Sequence, residues 1–151
     1  VCELAHQKAF EIAKAQKAPC YVIGADTIVA FENRILGKPK DSADAVRMVS
    51  MLQGSTHQVY TGVTLIEVCA DGSLREKSFY EETNVHVCQM TKDEIASYVA
   101  TGEPLDKAGA YGIQGRGAVL VEKIEGCYNN VVGLPLTRLY QMMAQIGVKG
   151  F

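Results

Sequence analysis

At 151 residues, with 48% hydrophobic and 21% charged side chains, the chain is long enough for one domain with its own core and short for two. A net charge of −2 argues against a surface built for long nucleic acids, while leaving room for basic groups gathered on a small anion. No apolar run approaches the length of a membrane span. The five cysteines (Cys2, Cys20, Cys69, Cys88 and Cys127) are odd in number, widely spaced and without a C-x-x-C pair. They suggest neither a disulfide framework nor a zinc site, and read as reduced, packed thiols of a cytoplasmic protein.

In chain order, Ala5, Ala9, Ile12 and Ala13 recur at helical spacing and predict a helix over 2–17. Residues 20–31 are rich in strand formers but are interrupted by Gly24-Ala25-Asp26. A turn at Glu32-Asn33-Arg34 leads to a short strand at Ile35-Leu36. A second helix is expected over 41–53, capped by Asp41 or Ser42, with Ala45, Met48, Val49 and Leu52 inward. A long strand over 56–70, a turn at Asp71-Gly72 and a return strand over 74–88 make a hairpin. Thr91-Lys92-Asp93-Glu94 is a capping box that opens a helix ending at Gly102. A glycine-dense stretch follows, then a strand over 117–125, and a final helix from Leu134-Pro135 to about Ile146. The pattern predicts a mixed α/β domain with a partly antiparallel sheet.

Several side chains carry possible chemistry, each with a plainer alternative. Asp26 lies between two apolar strand segments, where an unpaired carboxylate is expensive. It needs a metal, a lysine or backbone donors, or it caps a turn. Lys8 falls between Leu4 and Ile12 on its helix; it meets an anion inside or extends its ammonium to solvent. Lys38, in Gly37-Lys38-Pro39, presents a point charge to a phosphate or is an ordinary loop lysine. Asp106-Lys107 and Gln114 lie in the glycine-dense stretch. Gln114 can bond a base, a phosphate or its own turn. Glu81-Glu82 would face opposite ways on a strand, so at most one of them serves a site. His57 and His86 read as core or surface residues of strands. Acids, lysines and glycine-rich loops together fit metal-assisted attack on a polyphosphate.

GADTIV at 24–29, ILGKP at 35–39, HQVYTGV at 57–63, TGEPLDKAGAYGIQG at 101–115 and NVVGLPL at 130–136 resemble the Maf family of nucleoside triphosphate pyrophosphatases. Glu3 with Lys8-Ala9 is similar to that family's E-x-A-x-x-K-A helix. The resemblance covers nearly the whole chain, as one domain over 1–151. It implies a twisted central sheet with flanking helices, in a two-lobed, Maf/ITPase-like architecture with a cleft. It implies hydrolysis of a nucleoside triphosphate to monophosphate and pyrophosphate with Mg²⁺ or Mn²⁺, in the branch acting on dTTP and UTP, by a cytoplasmic and often homodimeric protein. Carried over by residue, Asp26 matches the catalytic, metal-associated acid. Lys8, Lys38 and Lys107 match lysines near the triphosphate, and Gln114 a polar site residue. The family's opening strand and A-S-x-S-P-R-R-like loop have no counterpart here, so the sequence reads as N-terminally truncated. A non-catalytic nucleotide-binding or interaction module is the alternative that this difference raises. Cys127 stands where the family often has Asp.

Overall fold

The computed structural model describes residues 1–17 and 19–150. Its elements in order are α1 (Cys2–Ala13), β1 (Cys20–Phe31), β2 (Arg34–Leu36), α2 (Ser42–Leu52), β3 (Thr56–Val68), β4 (Leu74–Val87) and α3 (Lys92–Ala100). Three 3₁₀ segments follow at Glu103–Asp106, Ala108–Ala110 and Gly115–Leu120, then β5 (Val121–Glu125), α4 (Tyr128–Val132) and α5 (Leu136–Gln145). The strands form one five-stranded sheet in the order β2-β1-β3-β4-β5. Register is antiparallel where β1 meets β2 and where β4 meets β5. Side-chain bonds Thr56–His86, Gln58–Asn84 and Thr64–Ser78 run in opposite senses along β3 and β4, so that pair is antiparallel too.

Local chemistry explains the element ends. The Asp41 side chain accepts from the Asp44 N–H at 2.8 Å, which makes Asp41 the cap of α2. Thr91 and Glu94 form the reciprocal capping box of α3. Asp71 accepts from both the N–H and the hydroxyl of Ser73 while Gly72 turns at φ +86°, closing the β3–β4 hairpin. Glu32 and Asn33 both have positive φ, as a two-residue hairpin turn between β1 and β2 requires.

Three expectations need correction. Gly24-Ala25-Asp26 does not interrupt the first strand: β1 continues from Cys20 to Phe31. Gly24 serves close approach instead, since a Cβ there would lie 2.3 Å from the Ala5 carbonyl oxygen on α1. The strand expected over 117–125 is 3₁₀ structure up to Leu120 and pairs only from Val121. Helix α1 ends at Ala13, and its buried face is Ala5, Ala9 and Ala13, while Leu4 and Ile12 are exposed.

The chain divides into two compact units. The first joins Val1–Thr27, Thr61–Glu81 and the segment from Gly133 onward. Its small cores gather Ala9, Ala13, Val22 and Ile66 in one place, and Val63, Phe79 and Leu139 in another. The second joins Ile28–Tyr60 and Glu82–Val132, around a larger core that includes Met48, Leu52, Val59, Val85, Ile95 and Val99.

In that larger unit, His57 is fully buried and its Nε2 lies 2.6 Å from the Tyr111 hydroxyl, the two rings meeting edge-on at 76°. His57 Nδ1 has no partner among the described residues. Burial, aided by the neighbouring charge of His86, pushes His57 down from 6.5 to about 4. It is therefore neutral when folded, whereas the unfolded chain takes up its proton near pH 6.5. Stability is full above that pH and falls as the pH drops toward about 4. The expected loss between pH 7 and 4.5 is about 2 kcal/mol. Urea unfolding across this range should show it, with a shallower fall in His57→Gln; an equal fall in both proteins would assign the acid sensitivity elsewhere.

Candidate functional site

Asp26 sits on β1 of the first unit with its side chain 15% exposed. Lys8 reaches it from α1: its Nζ lies 3.3 Å from Asp26 Oδ1 and donates to the Ala25 carbonyl oxygen at 3.1 Å. The Lys8 side chain is 56% exposed, so the residue extends along the helix surface and is not sunk into the core. The other carboxylate oxygen, Asp26 Oδ2, is buried and has no hydrogen-bond partner among the described residues. Such an oxygen costs roughly 1–3 kcal/mol unless a ligand takes it up. On the same strand Thr27 Oγ1 is hydrogen-bonded to Thr61 Oγ1 at 2.8 Å and reaches the Gly133 carbonyl at 3.4 Å, so the backbone beside Asp26 is fixed.

The second unit gathers the remaining lysines. Gly109 donates its N–H to the Gly37 carbonyl at 3.1 Å, which ties the turn carrying Lys38 to the turn carrying Lys107. Gly109 is needed there for two reasons: its φ is +72°, and a Cβ would lie 3.0 Å from the Val29 side chain. Lys38 is exposed. Lys107 Nζ donates to Asp106 at 3.1 Å. That hydrogen bond and the Lys107 charge hold Asp106 below the usual carboxylate range, and the Lys38 charge adds to the effect. Gln114 is exposed at the start of the 115–120 segment and makes no capping bond.

The other candidates have structural partners. Glu81 pairs with Arg138 at 3.7 Å in the first unit, and Glu82 is exposed in the second. His86 bonds Thr56 and Glu125. All five cysteines are free thiols. No described helix is long and apolar enough to cross a membrane.

Sequence reasoning missed Glu103, Tyr98, Thr83 and Asn130. Asn130 is fully buried on α4 and donates to the Val59 carbonyl and to Thr83 Oγ1. Thr83 in turn bonds both the N–H and the carbonyl of Cys127. The only signal for these residues was polar side chains next to apolar positions, with partners far along the chain.

No group of three or more His, Cys, Asp or Glu among the described residues could hold a metal. Asp26 Oδ2 offers one carboxylate oxygen. That donor set fits Mg²⁺, which commonly keeps several waters and binds one or two carboxylates together with substrate phosphates.

Comparison with known proteins supplies the family. The model described as Maf-like protein matches residues 1–146. The dTTP/UTP pyrophosphatase of Agathobacter rectalis is 52% identical, the match covering 98% of this chain and 78% of that protein. The dTTP/UTP pyrophosphatase of Carboxydothermus hydrogenoformans is 52% identical over 95% of this chain and 75% of its own length. That of Bacillus cytotoxicus is 50% identical over 96% and 73%. A family match that runs from the α1 helix carrying Lys8 to the end of α5, together with relatives about half identical over nearly the whole chain, places this chain in the Maf family.

Proposed function

We propose that this chain is a nucleoside triphosphate pyrophosphatase acting on dTTP and UTP. The relatives carrying that name, each about half identical over nearly the whole chain, support the substrate class. The observation that carries the chemistry is Asp26: a largely buried carboxylate with one oxygen held by Lys8 and the other left without a partner.

In the reaction, a water oxygen forms a bond to the α-phosphorus and the bond from that phosphorus to the α–β bridging oxygen breaks. Pyrophosphate leaves and the nucleoside monophosphate remains. Asp26 orients the water and takes its proton. Lys8 keeps the carboxylate in place and adds positive charge beside it. Lys38 and Lys107 act as ammonium point charges for phosphate oxygens, and Gln114 offers an amide to the base or a phosphate. Asp26 is also the residue that would hold Mg²⁺ or Mn²⁺, and the ion would supply further neutralisation of the phosphates. A cytoplasmic location and a homodimeric state belong to the same proposal and rest on the family likeness.

The test is pyrophosphate release from dTTP, UTP, CTP and 7-methyl-GTP with Mg²⁺ or Mn²⁺. Turnover of dTTP and UTP above the other two, abolished by EDTA, is expected. Folded protein that releases no pyrophosphate from any of them would overturn the reading.

A further inference from the structure

Residues 112–117 form a closed loop tied by two side chains that lie outside it. Tyr98, on α3, accepts the Gly112 N–H at 3.2 Å and donates its hydroxyl to Glu103 Oε1 at 2.7 Å. Glu103 Oε2 accepts the Arg116 N–H at 2.9 Å, and Oε1 accepts the Gly117 N–H at 2.9 Å. Both ends of the loop are thus anchored on one hydrogen-bonded pair.

Glycine is what lets the loop close. A Cβ on Gly117 would lie 2.0 Å from the Gly112 carbonyl oxygen, and one on Gly115 would lie 2.8 Å from Glu103 Oε2. Converging backbone N–H groups make a place where an anion binds, and the Glu103 carboxylate occupies it. Burial alone would raise the Glu103 pKa. The bonds from Tyr98, Arg116 and Gly117 outweigh that, so the group stays ionised below the usual carboxylate range. Gln114 stands exposed at the outer edge of the loop. Lys107 adjoins the same structure, its Cε 3.2 Å from where a Gly112 Cβ would be.

We propose that Glu103 is a positioning residue for nucleotide recognition, holding residues 112–117 in the shape that presents Gln114 to the substrate. This rests on the pyrophosphatase reading above. Glu103 itself spends its acceptors on the loop, so its role lies in affinity and base choice and not in the chemical step.

Glu103→Ala, Glu103→Gln and Tyr98→Phe test the proposal. For each, kcat and KM would be measured with dTTP and GTP, alongside a thermal melt and calorimetric titration with a non-hydrolysable dTTP analogue. Glu103→Ala is expected to raise KM for dTTP about tenfold or more, the scale of a lost hydrogen bond to a charged group, with kcat within about twofold. The dTTP-over-GTP preference should narrow by a similar factor. Glu103→Gln keeps one carbonyl acceptor and should fall between Glu103→Ala and the parent protein. Tyr98→Phe loses the Gly112 tie and the hydroxyl bond to Glu103 but keeps the Glu103 bonds to Arg116 and Gly117, and should be milder than Glu103→Ala.

A purely structural role predicts the opposite split: less folded protein and a lower apparent kcat with KM unchanged. That result, or failure of both Glu103 variants to fold, overturns the proposal. If the parent protein binds the analogue without turnover, the pyrophosphatase reading fails, while weakened titration in Glu103→Ala still upholds the positioning role. Unchanged KM and unchanged analogue affinity in folded Glu103→Ala overturn the positioning role alone.

Discussion

Asp26→Asn is expected to lose about 10²–10⁴-fold in the rate of pyrophosphate release, the usual range for removing a positioned general base. Its stability should not fall. The Lys8–Asp26 pair involves a lysine that is 56% exposed, and such a pair contributes at most about 1 kcal/mol. Against that stands the buried Oδ2, without a partner among the described residues. A neutral amide is cheaper to leave in that position than a charge. The two effects are of similar size, so the melting temperature should stay level or rise slightly while activity disappears. Rate and melting temperature measured on one preparation decide the matter. A folded Asp26→Asn protein that keeps more than about a tenth of the parent rate would remove Asp26 from the chemistry.

Gly24→Ala should be the most damaging single methyl group in the first unit. The added Cβ would lie 2.3 Å from the Ala5 carbonyl oxygen, 2.8 Å from the Ala9 nitrogen and 2.9 Å from the Ala9 Cβ. Two of these are backbone atoms of α1, so no side-chain rotation relieves the clash and the helix has to move. Overpacking of this kind costs about 2–3 kcal/mol, and for a chain of this size the melting temperature should fall by roughly 5–10 °C. Lys8 lies between Ala5 and Ala9 on the helix that moves, so activity should drop as well. A Gly24→Ala protein that melts with the parent would mean that α1 packs farther from β1 than described.

Much of the fold was legible because its signals are local. Asp41 caps α2, Thr91 and Glu94 box α3, and Asp71-Gly72 turns the β3–β4 hairpin, each decided within a few residues. The misreadings share a different cause, in that a distant partner decides the conformation. Gly24 looks like a strand breaker, yet its lack of a side chain is what lets β1 lie against the α1 backbone. Residues 117–120 look like the start of a strand, but the Glu103 bonds to Arg116 and Gly117 hold that end in 3₁₀ structure. The site divides in the same way. Asp26 and the three lysines became candidates through motif resemblance, since their charge and spacing alone also fit a turn cap and ordinary surface lysines. Glu103 did not, because its acceptors go to backbone donors that no sequence spacing advertises.

The hydrogen bond from Gly109 to the Gly37 carbonyl has a thermodynamic consequence. It joins turns that are far apart along the chain, so the Lys38 and Lys107 neighbourhood exists only in the folded state and has no counterpart in the unfolded ensemble. A nucleotide whose phosphates engage these lysines binds the native chain alone. By mass action, such a ligand at a hundredfold excess over its Kd adds about 2.7 kcal/mol to the stability of the fold. If the proposed role of these lysines holds, nucleotide supply and the folded fraction of the protein would be linked through that contact.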